Sequence, residues 1–217
     1  MKVLKFGGTS VANAQNIKLV LEIVKQKSQQ DKVAVVVSAL SKVTDLLQSA
    51  AAKAAANDEG FRDIVAEIEK KHLDTLKELI PVSEQSSLLS HVKRIINHLE
   101  TLLDGCFLLG ELSPRTADTI LSFGELLSSY IIAQAYQQIN KNAVYKDSRE
   151  LIKTDNNFGK AAVNFEVSNI APLTLTLSET GMNQFTANVT GGSGSFTYYL
   201  NGQNYGSVNV FNIYATG

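Results

Sequence analysis

A chain of 217 residues is long enough for one large or two small domains. Its hydrophobic content of 44% and charged content of 19% are those of an ordinary globular protein, and a formal net charge of −1 argues against a general nucleic-acid binder. No apolar run approaches the ~18 residues of a membrane span, and a single cysteine, Cys106, excludes an intrachain disulfide.

The N-terminus lacks the long apolar stretch of a secretory signal. It reads as a short strand, Val3-Leu4-Lys5-Phe6, running into a turn at Gly7-Gly8. Thr9 or Ser10 is placed to cap a following helix, because a side-chain oxygen can accept from an unpaired N–H in its first turn. Ile17, Val20, Leu21 and Val24 then recur at helical spacing and define one apolar stripe. Lys32 to Val37 is a continuous apolar strand, of the kind covered on both faces in a parallel sheet. Strand, helix and strand of this length predict a βαβ unit with a right-handed crossover.

Residues 42–138 read mostly as helix. The predicted helices run from Thr44 to Ala56, Asp58 to Leu79, Ser83 to Phe107 and Pro114 to about Tyr136. Pro81 stops the second, and Ser83 and Ser86 stand near the start of the third. Asn142-Ala143-Val144-Tyr145 is predicted to be a third strand. Cys106, among Leu103, Phe107 and Leu108, is expected to be buried and inert. His72, His91 and His98 are assigned to surface positions on these helices. No residue is assigned to a metal, because no cysteine or carboxylate cluster accompanies the histidines.

Composition changes near residue 165. All 20 lysines and arginines lie at or before Lys160, and Glu166–Gly217 holds only two acidic residues, Glu166 and Glu179. This predicts two pieces of different origin, 1–165 and 166–217. In the second, Leu173–Leu177, Phe185–Val189 and Phe196–Leu200 alternate with a period of two. Gly191-Gly192-Ser193-Gly194 and Asn201-Gly202 separate them, and Asn-Gly is a strong hairpin signal. Three or four short antiparallel strands follow, resembling part of an immunoglobulin-like sandwich and too few for a whole one.

Lys5-Phe6-Gly7-Gly8-Thr9-Ser10 carries the most chemistry. Glycines let a backbone approach a bulky anion, a helix N-terminus offers unpaired N–H groups, and Lys5 can reach the same anion. Such a set can stabilise the charge on a transferring phosphoryl group. The lysine precedes the glycines, so this is not the common P-loop. The plain alternative is a strand-to-helix turn with an exposed lysine, and spacing alone does not separate the two.

Residues 5–11, KFGGTSV, are similar to the opening signature of aspartate kinases. Ser38-Ala39-Leu40-Ser41-Lys42-Val43-Thr44-Asp45-Leu46-Leu47 resembles that family's second loop, and Ser122-Phe123-Gly124-Glu125-Leu126-Leu127-Ser128 resembles its S-x-G-E segment. Tyr145-Lys146-Asp147-Ser148-Arg149, followed by Asn157-Phe158-Gly159, is also similar. Four ordered motifs make residues 1–165 resemble the front half of an aspartate kinase, in particular the kinase part of fused aspartokinase–homoserine dehydrogenases.

The resemblance implies an α/β fold: the first half of an amino-acid kinase sandwich, with a mostly parallel sheet and a helical insertion, followed here by the short antiparallel β segment. It implies transfer of the γ-phosphoryl of ATP, with Mg²⁺, to the side-chain carboxylate of aspartate, the first step toward lysine, threonine and methionine. Lys5 would be catalytic. Lys5, Phe6, Gly7 and Gly8 would approach the ATP phosphates. Ser38 and Thr44 would hydrogen-bond aspartate, and Glu125 would accept from its ammonium, a charge-assisted bond. Without the resemblance, Ser38 and Thr44 read as turn and cap residues, Glu125 as a solvated helix-face glutamate, and Asp147 with Arg149 as a structural pair. The resemblance further implies a cytoplasmic, homo-oligomeric parent with no nucleic-acid or membrane partner. Alternatives are another amino-acid kinase, acting on glutamate or carbamate, and a non-enzymatic β-module fusion.

One expected part is missing. Aspartate kinases carry a later segment of the form G-R-G-G-S-D, whose arginine binds the substrate carboxylate. Gly191-Gly192-Ser193-Gly194 has neither the arginine nor the aspartate. A chain with the front motifs alone is expected not to turn over. Its half-sheet is expected to leave an apolar face open.

Overall fold

The computed structural model describes residues 1–155, 157–159, 163–164, 174–181, 184–190, 199–200, 203–204 and 210–212. Contacts divide the chain into two compact units, Met1–Glu150 with Thr154–Asn164, and Leu151–Lys153 with Phe165–Gly217.

The first unit opens with β1 (Lys2–Phe6), α1 (Ala14–Ser28) and β2 (Val33–Val37). β1 and β2 pair in parallel, with Val3 opposite Ala34, Lys5 opposite Val36 and Phe6 opposite Val37. Ser38 extends the pairing by donating its N–H to the Phe6 carbonyl at 3.0 Å. Four helices follow: α2 (Val43–Ala55), α3 (Phe61–Leu79), α4 (Val82–Leu109) and α5 (Pro114–Ile139). The predicted helices are all present, and Ile17, Val20, Leu21 and Val24 are buried on α1 as their spacing requires.

Helix ends follow local chemistry. Ser113 caps α5 by accepting from the Thr116 N–H, with Pro114 in the first turn, where its missing N–H costs nothing. α4 ends at Gly110, whose φ of 64° suits a left-handed cap. α1 is capped by Asn13 and not by Thr9 or Ser10: the Asn13 side chain accepts from the Asn16 N–H at 2.9 Å. The Asn16 amide in turn donates to the Thr9 carbonyl at 2.9 Å, tying the helix back to the turn before it. Neither Ser83 nor Ser86 caps α4, where Pro81 stands at the N-cap without a side-chain hydrogen bond.

Other expectations need correction. Residues 142–147 form no strand. The Ala143 N–H donates to the Asn140 carbonyl, the Asn142 N–H to Asn140 Oδ1, and the Ala143 carbonyl accepts from Gln137, so a turn takes the groups a sheet would use. β2 is not covered on both faces. Leu4, Phe6 and Val37 pack against the helical core, whereas Val3 and Val36 are 63% and 48% exposed. The alternation of a strand puts Val3, Lys5, Ala34 and Val36 on that open side. His72 is not a surface residue but fully buried in α3. Its Nδ1 donates to the Ile68 carbonyl at 2.7 Å, because a carbonyl can only accept. Nε2 is left without a partner, and burial pushes the imidazole down to about 4. His91 and His98 do lie at the surface of α4, the first half-buried and stacked on Tyr130 with ring centroids 4.2 Å apart, the second exposed and edge-on to Phe123. Cys106 is buried, and burial raises its thiol above the ordinary value.

The core is one cluster running through α1–α5, with Ile68, Leu76, Ile96, Leu99, Leu103, Phe123 and Leu127 among its fully buried members. A short 3₁₀ turn at Ser148–Glu150 and two-residue strands β3 (Lys153–Thr154) and β4 (Val163–Asn164) follow α5.

In the second unit β5 (Thr174–Gly181) pairs antiparallel with β6 (Gln184–Thr190), and β6 with β9 (Val210–Asn212). β7 (Tyr199–Leu200) pairs antiparallel with β8 (Gln203–Asn204), Leu200 opposite Gln203. The predicted turns at Asn201-Gly202 and Gly191-Gly192-Ser193-Gly194 and the residues Leu173 and Phe196–Tyr198 lie outside the described residues.

Candidate active site

An open cleft of about 410 Å³ lies where the C-terminal ends of β1 and β2 meet the start of α2 and the middle of α5. Gly8 and Thr9 line it from the β1 turn. Ser38, Ala39, Leu40, Ser41 and Lys42 line it from the loop after β2, Thr44 and Asp45 from the first turn of α2, and Glu125 from α5. Ligands of open α/β sheets commonly bind outside the carboxyl ends of the strands. Of the residues singled out from sequence, Gly8, Ser38, Thr44 and Glu125 share this cleft. Lys5, Phe6 and Gly7 are not among its lining residues. Lys5 is exposed near the end of β1, opposite Val36, and Phe6 packs inward against the core.

The two glycines do different jobs. A Cβ on Gly8 would stand 3.2 Å from the Ala39 carbonyl oxygen, so Gly8 lets the two loops close on each other. A Cβ on Gly7 would meet nothing within 4 Å, so Gly7 borders free space. The turn closes through a Ser10 N–H to Gly7 carbonyl bond at 2.9 Å. It does not run straight into a helix, because α1 starts only at Ala14. The N–H groups that the sequence places at this turn therefore belong to the turn itself and not to the first turn of α1.

The loop after β2 is held from α5 and α3. Glu125 Oε1 accepts from the Ala39 N–H at 3.3 Å. Ser128, one turn further along α5, donates its hydroxyl to the Ser38 carbonyl at 2.8 Å. Gly124 is where helix and loop touch: a Cβ there would lie 2.8 Å from the Ala39 Cβ. From α3 the Lys71 ammonium donates to the Ser41 carbonyl. Lys42 takes a left-handed φ of 67°, and the Val43 N–H then bonds the Leu40 carbonyl at 3.0 Å to start α2. The S-x-G-E segment points to Glu125, whereas the roles of Gly124 and Ser128, within about a turn of it on α5, emerge only from the fold. Nothing in the sequence pointed to Lys71.

The fourth similar segment lies elsewhere. Asp147 and Arg149 pair at 2.6 Å, and that guanidinium holds the carboxyl below the usual range. The Gly159 N–H donates to Asp118 on α5 at 2.6 Å, and Arg115 lies over the Phe158 ring. A smaller groove between α3 and α4 has Lys70 and Lys93 already paired with Asp74 and Glu69.

A short parallel sheet with a helical layer, and a polar cleft at its carboxyl edge, define an α/β protein. The chain belongs to the amino acid kinase family, whose model matches residues 1–192. It is 31% identical over 150 residues to the chloroplastic bifunctional aspartokinase/homoserine dehydrogenase 2 of Arabidopsis thaliana, covering 69% of this chain and 16% of that protein. It is 36% identical over 166 residues to the aspartokinase of Candida albicans, covering 73% of this chain and 30% of that protein. Among solved structures it is similar to E. coli aspartokinase III in complex with aspartate and ADP. The TM-score is 0.66 at 26% identity, covering 76% of this chain and 35% of that one. The chain thus spans a third or less of the length of the curated relatives named here. Among the described residues no helix is long and apolar enough to cross a membrane, and no group of three His, Cys, Asp or Glu side chains could hold a metal ion.

Proposed function

We propose that this chain carries the amino-acid-binding front half of an aspartate kinase, an enzyme that transfers the γ-phosphoryl of ATP to the side-chain carboxylate of aspartate. The observation that carries the reading is the convergence of Gly8, Ser38, Thr44 and Glu125 on one cleft, from three segments separate in sequence. In this reading the Glu125 carboxylate accepts from the substrate ammonium, and the Ser38 and Thr44 hydroxyls bond its carboxylate oxygens. Lys5, exposed near the end of β1, meets the phosphoryl group together with Phe6, Gly7 and Gly8. Mg²⁺ arrives as part of the nucleotide substrate, held by its phosphates. The glycine segment whose arginine binds the substrate carboxylate in that family is not among these 217 residues, so they are expected to hold aspartate more weakly than the whole enzyme and not to turn it over.

The test is calorimetric titration with aspartate, glutamate and MgATP, beside an assay for aspartyl phosphate trapped as the hydroxamate. Binding of aspartate in preference to glutamate, lost about tenfold or more in Glu125→Gln, is the expected result for a charge-assisted bond. Preference for glutamate, or an unchanged affinity in Glu125→Gln, overturns the assignment. Robust turnover overturns the claim of binding alone.

The change of composition at residue 165 supports reading 166–217 as a β-rich piece of separate origin, similar to an incomplete immunoglobulin-like sandwich. The amino acid kinase family model matches residues 1–192, so chains ending at 165 and at 192 are the pair to compare. Equal thermal stability of chains ending at 165 and at 192 is the expected outcome, and a clear loss in the shorter one moves the boundary.

A further inference from the structure

Two side chains outside the cleft hold its loop at both ends. Ser128 is fully buried on α5, and its hydroxyl lies 2.8 Å from the Ser38 carbonyl and 3.2 Å from the Glu125 carbonyl of its own helix. A hydroxyl has one proton, and the shorter contact takes it. Ser38 is thereby fixed on both sides, its N–H given to Phe6 and its carbonyl bonded by Ser128. Three residues on, Lys71 of α3 reaches the Ser41 carbonyl, just before the left-handed Lys42. Neither side chain lines the cleft. Without them the loop would keep the Glu125 contact to the Ala39 N–H, which is long at 3.3 Å.

We infer that Ser128 and Lys71 are positioning residues, which fix the backbone of Ser38–Lys42 so that the Ser38 and Thr44 hydroxyls stand ready toward one face of the cleft before a ligand arrives. The placement of the loop stands on the hydrogen bonds alone; the ligand it serves rests on the aspartate reading above.

The experiment compares the full chain with Ser128→Ala, Lys71→Met and Lys71→Arg by amide hydrogen exchange, melting temperature and aspartate titration. Loss of one hydrogen bond of ordinary strength should speed exchange at the Ala39 and Val43 amides about fivefold, with the amides of α3 and α4 unchanged. Aspartate affinity should fall about fivefold in Ser128→Ala and Lys71→Met, and Lys71→Arg, which keeps a donor, should restore both readouts. Unaltered loop exchange in both removal variants overturns the inference. So does faster exchange throughout the chain in step with a lower melting temperature, since that marks a general packing role. If Ser128→Ala does not fold, the half-buried Lys71 decides alone. If the parent chain binds no aspartate, the aspartate reading fails while loop exchange still decides the clamp.

Discussion

Between α3 and α4 the packing is carried by Ile68, Leu76, Ile96, Leu99 and Leu103, each fully buried. Around the cleft it is carried by Glu125, Ser128 and Lys71 reaching the backbone of three loop residues, Ala39, Ser38 and Ser41. The first kind of contact is non-directional and contributes roughly 1.5–3 kcal/mol per large side chain. The second is directional and contributes about 1 kcal/mol per bond. The contrast teaches where specificity can reside. The helical layer tolerates only changes that keep its volume, whereas the rim can be retuned bond by bond without unfolding the chain.

Breaking the helical side should have the largest effect. Leu99→Ala removes a fully buried side chain and leaves a cavity, so stability should fall by about 2–5 kcal/mol in denaturant unfolding. A loss below ~1 kcal/mol would mean that α3 and α4 collapse onto the gap and are less firmly packed than their burial implies.

The buried His72 exposes the same layer to pH. Its folded value of about 4 lies below the ordinary 6.5, so the native state holds it neutral. Below pH 6.5 the unfolded chain takes up a proton that the folded chain refuses. Stability from this group is therefore complete above pH 6.5 and is lost as pH falls toward 4, by roughly 3 kcal/mol. Unfolding measured from pH 7 to pH 4 should show that slope, and His72→Leu should flatten it. An equal slope in the variant would assign the acid sensitivity to other groups.

The same contrast explains what the sequence could and could not reveal. Apolar periodicity is a repeated signal, so α1 to α5 were legible to within a few residues, and so were β1 and β2. Caps and turns depend on single hydrogen bonds. Thr9, Ser10 and Asn13 all have the chemistry of an N-cap, and only the fold shows that Asn13 makes the bond. The Asn142–Tyr145 run has the composition of a strand, but Asn140 and Gln137 claim its backbone groups. His72 looks like a polar helix residue in sequence. The bond from its Nδ1 to the Ile68 carbonyl one turn back, which makes burial tolerable, has no motif. In the cleft, Gly8, Ser38, Thr44 and Glu125 could be named from the similarity of short segments. The separate duties of Gly7 and Gly8 could not, since they turn on which glycine faces the Ala39 carbonyl.

Gly124 is the point where the two materials meet, and substituting it should give the smallest of these stability effects but the most informative one. Its neighbours Phe123 and Leu127 belong to the core, while its open side lies against Ala39 of the cleft loop. A methyl group there would stand 2.8 Å from the Ala39 Cβ, closer than two carbons tolerate, and 3.4 Å from Leu47 Cδ1. The core side cannot yield, because close-packed helices transmit strain. The loop can, being held by single bonds, so Gly124→Ala should push Ala39 outward and lengthen its already long bond to Glu125. Overpacking of this size costs about 1–3 kcal/mol, and the helix preference of alanine over glycine offsets up to ~1 kcal/mol of it. Net destabilisation near 1 kcal/mol with a distinct loss of aspartate affinity is the expected pair of results. A large stability loss with unchanged affinity would show instead that α5 yields and the loop holds, reversing the order of stiffness between core and rim.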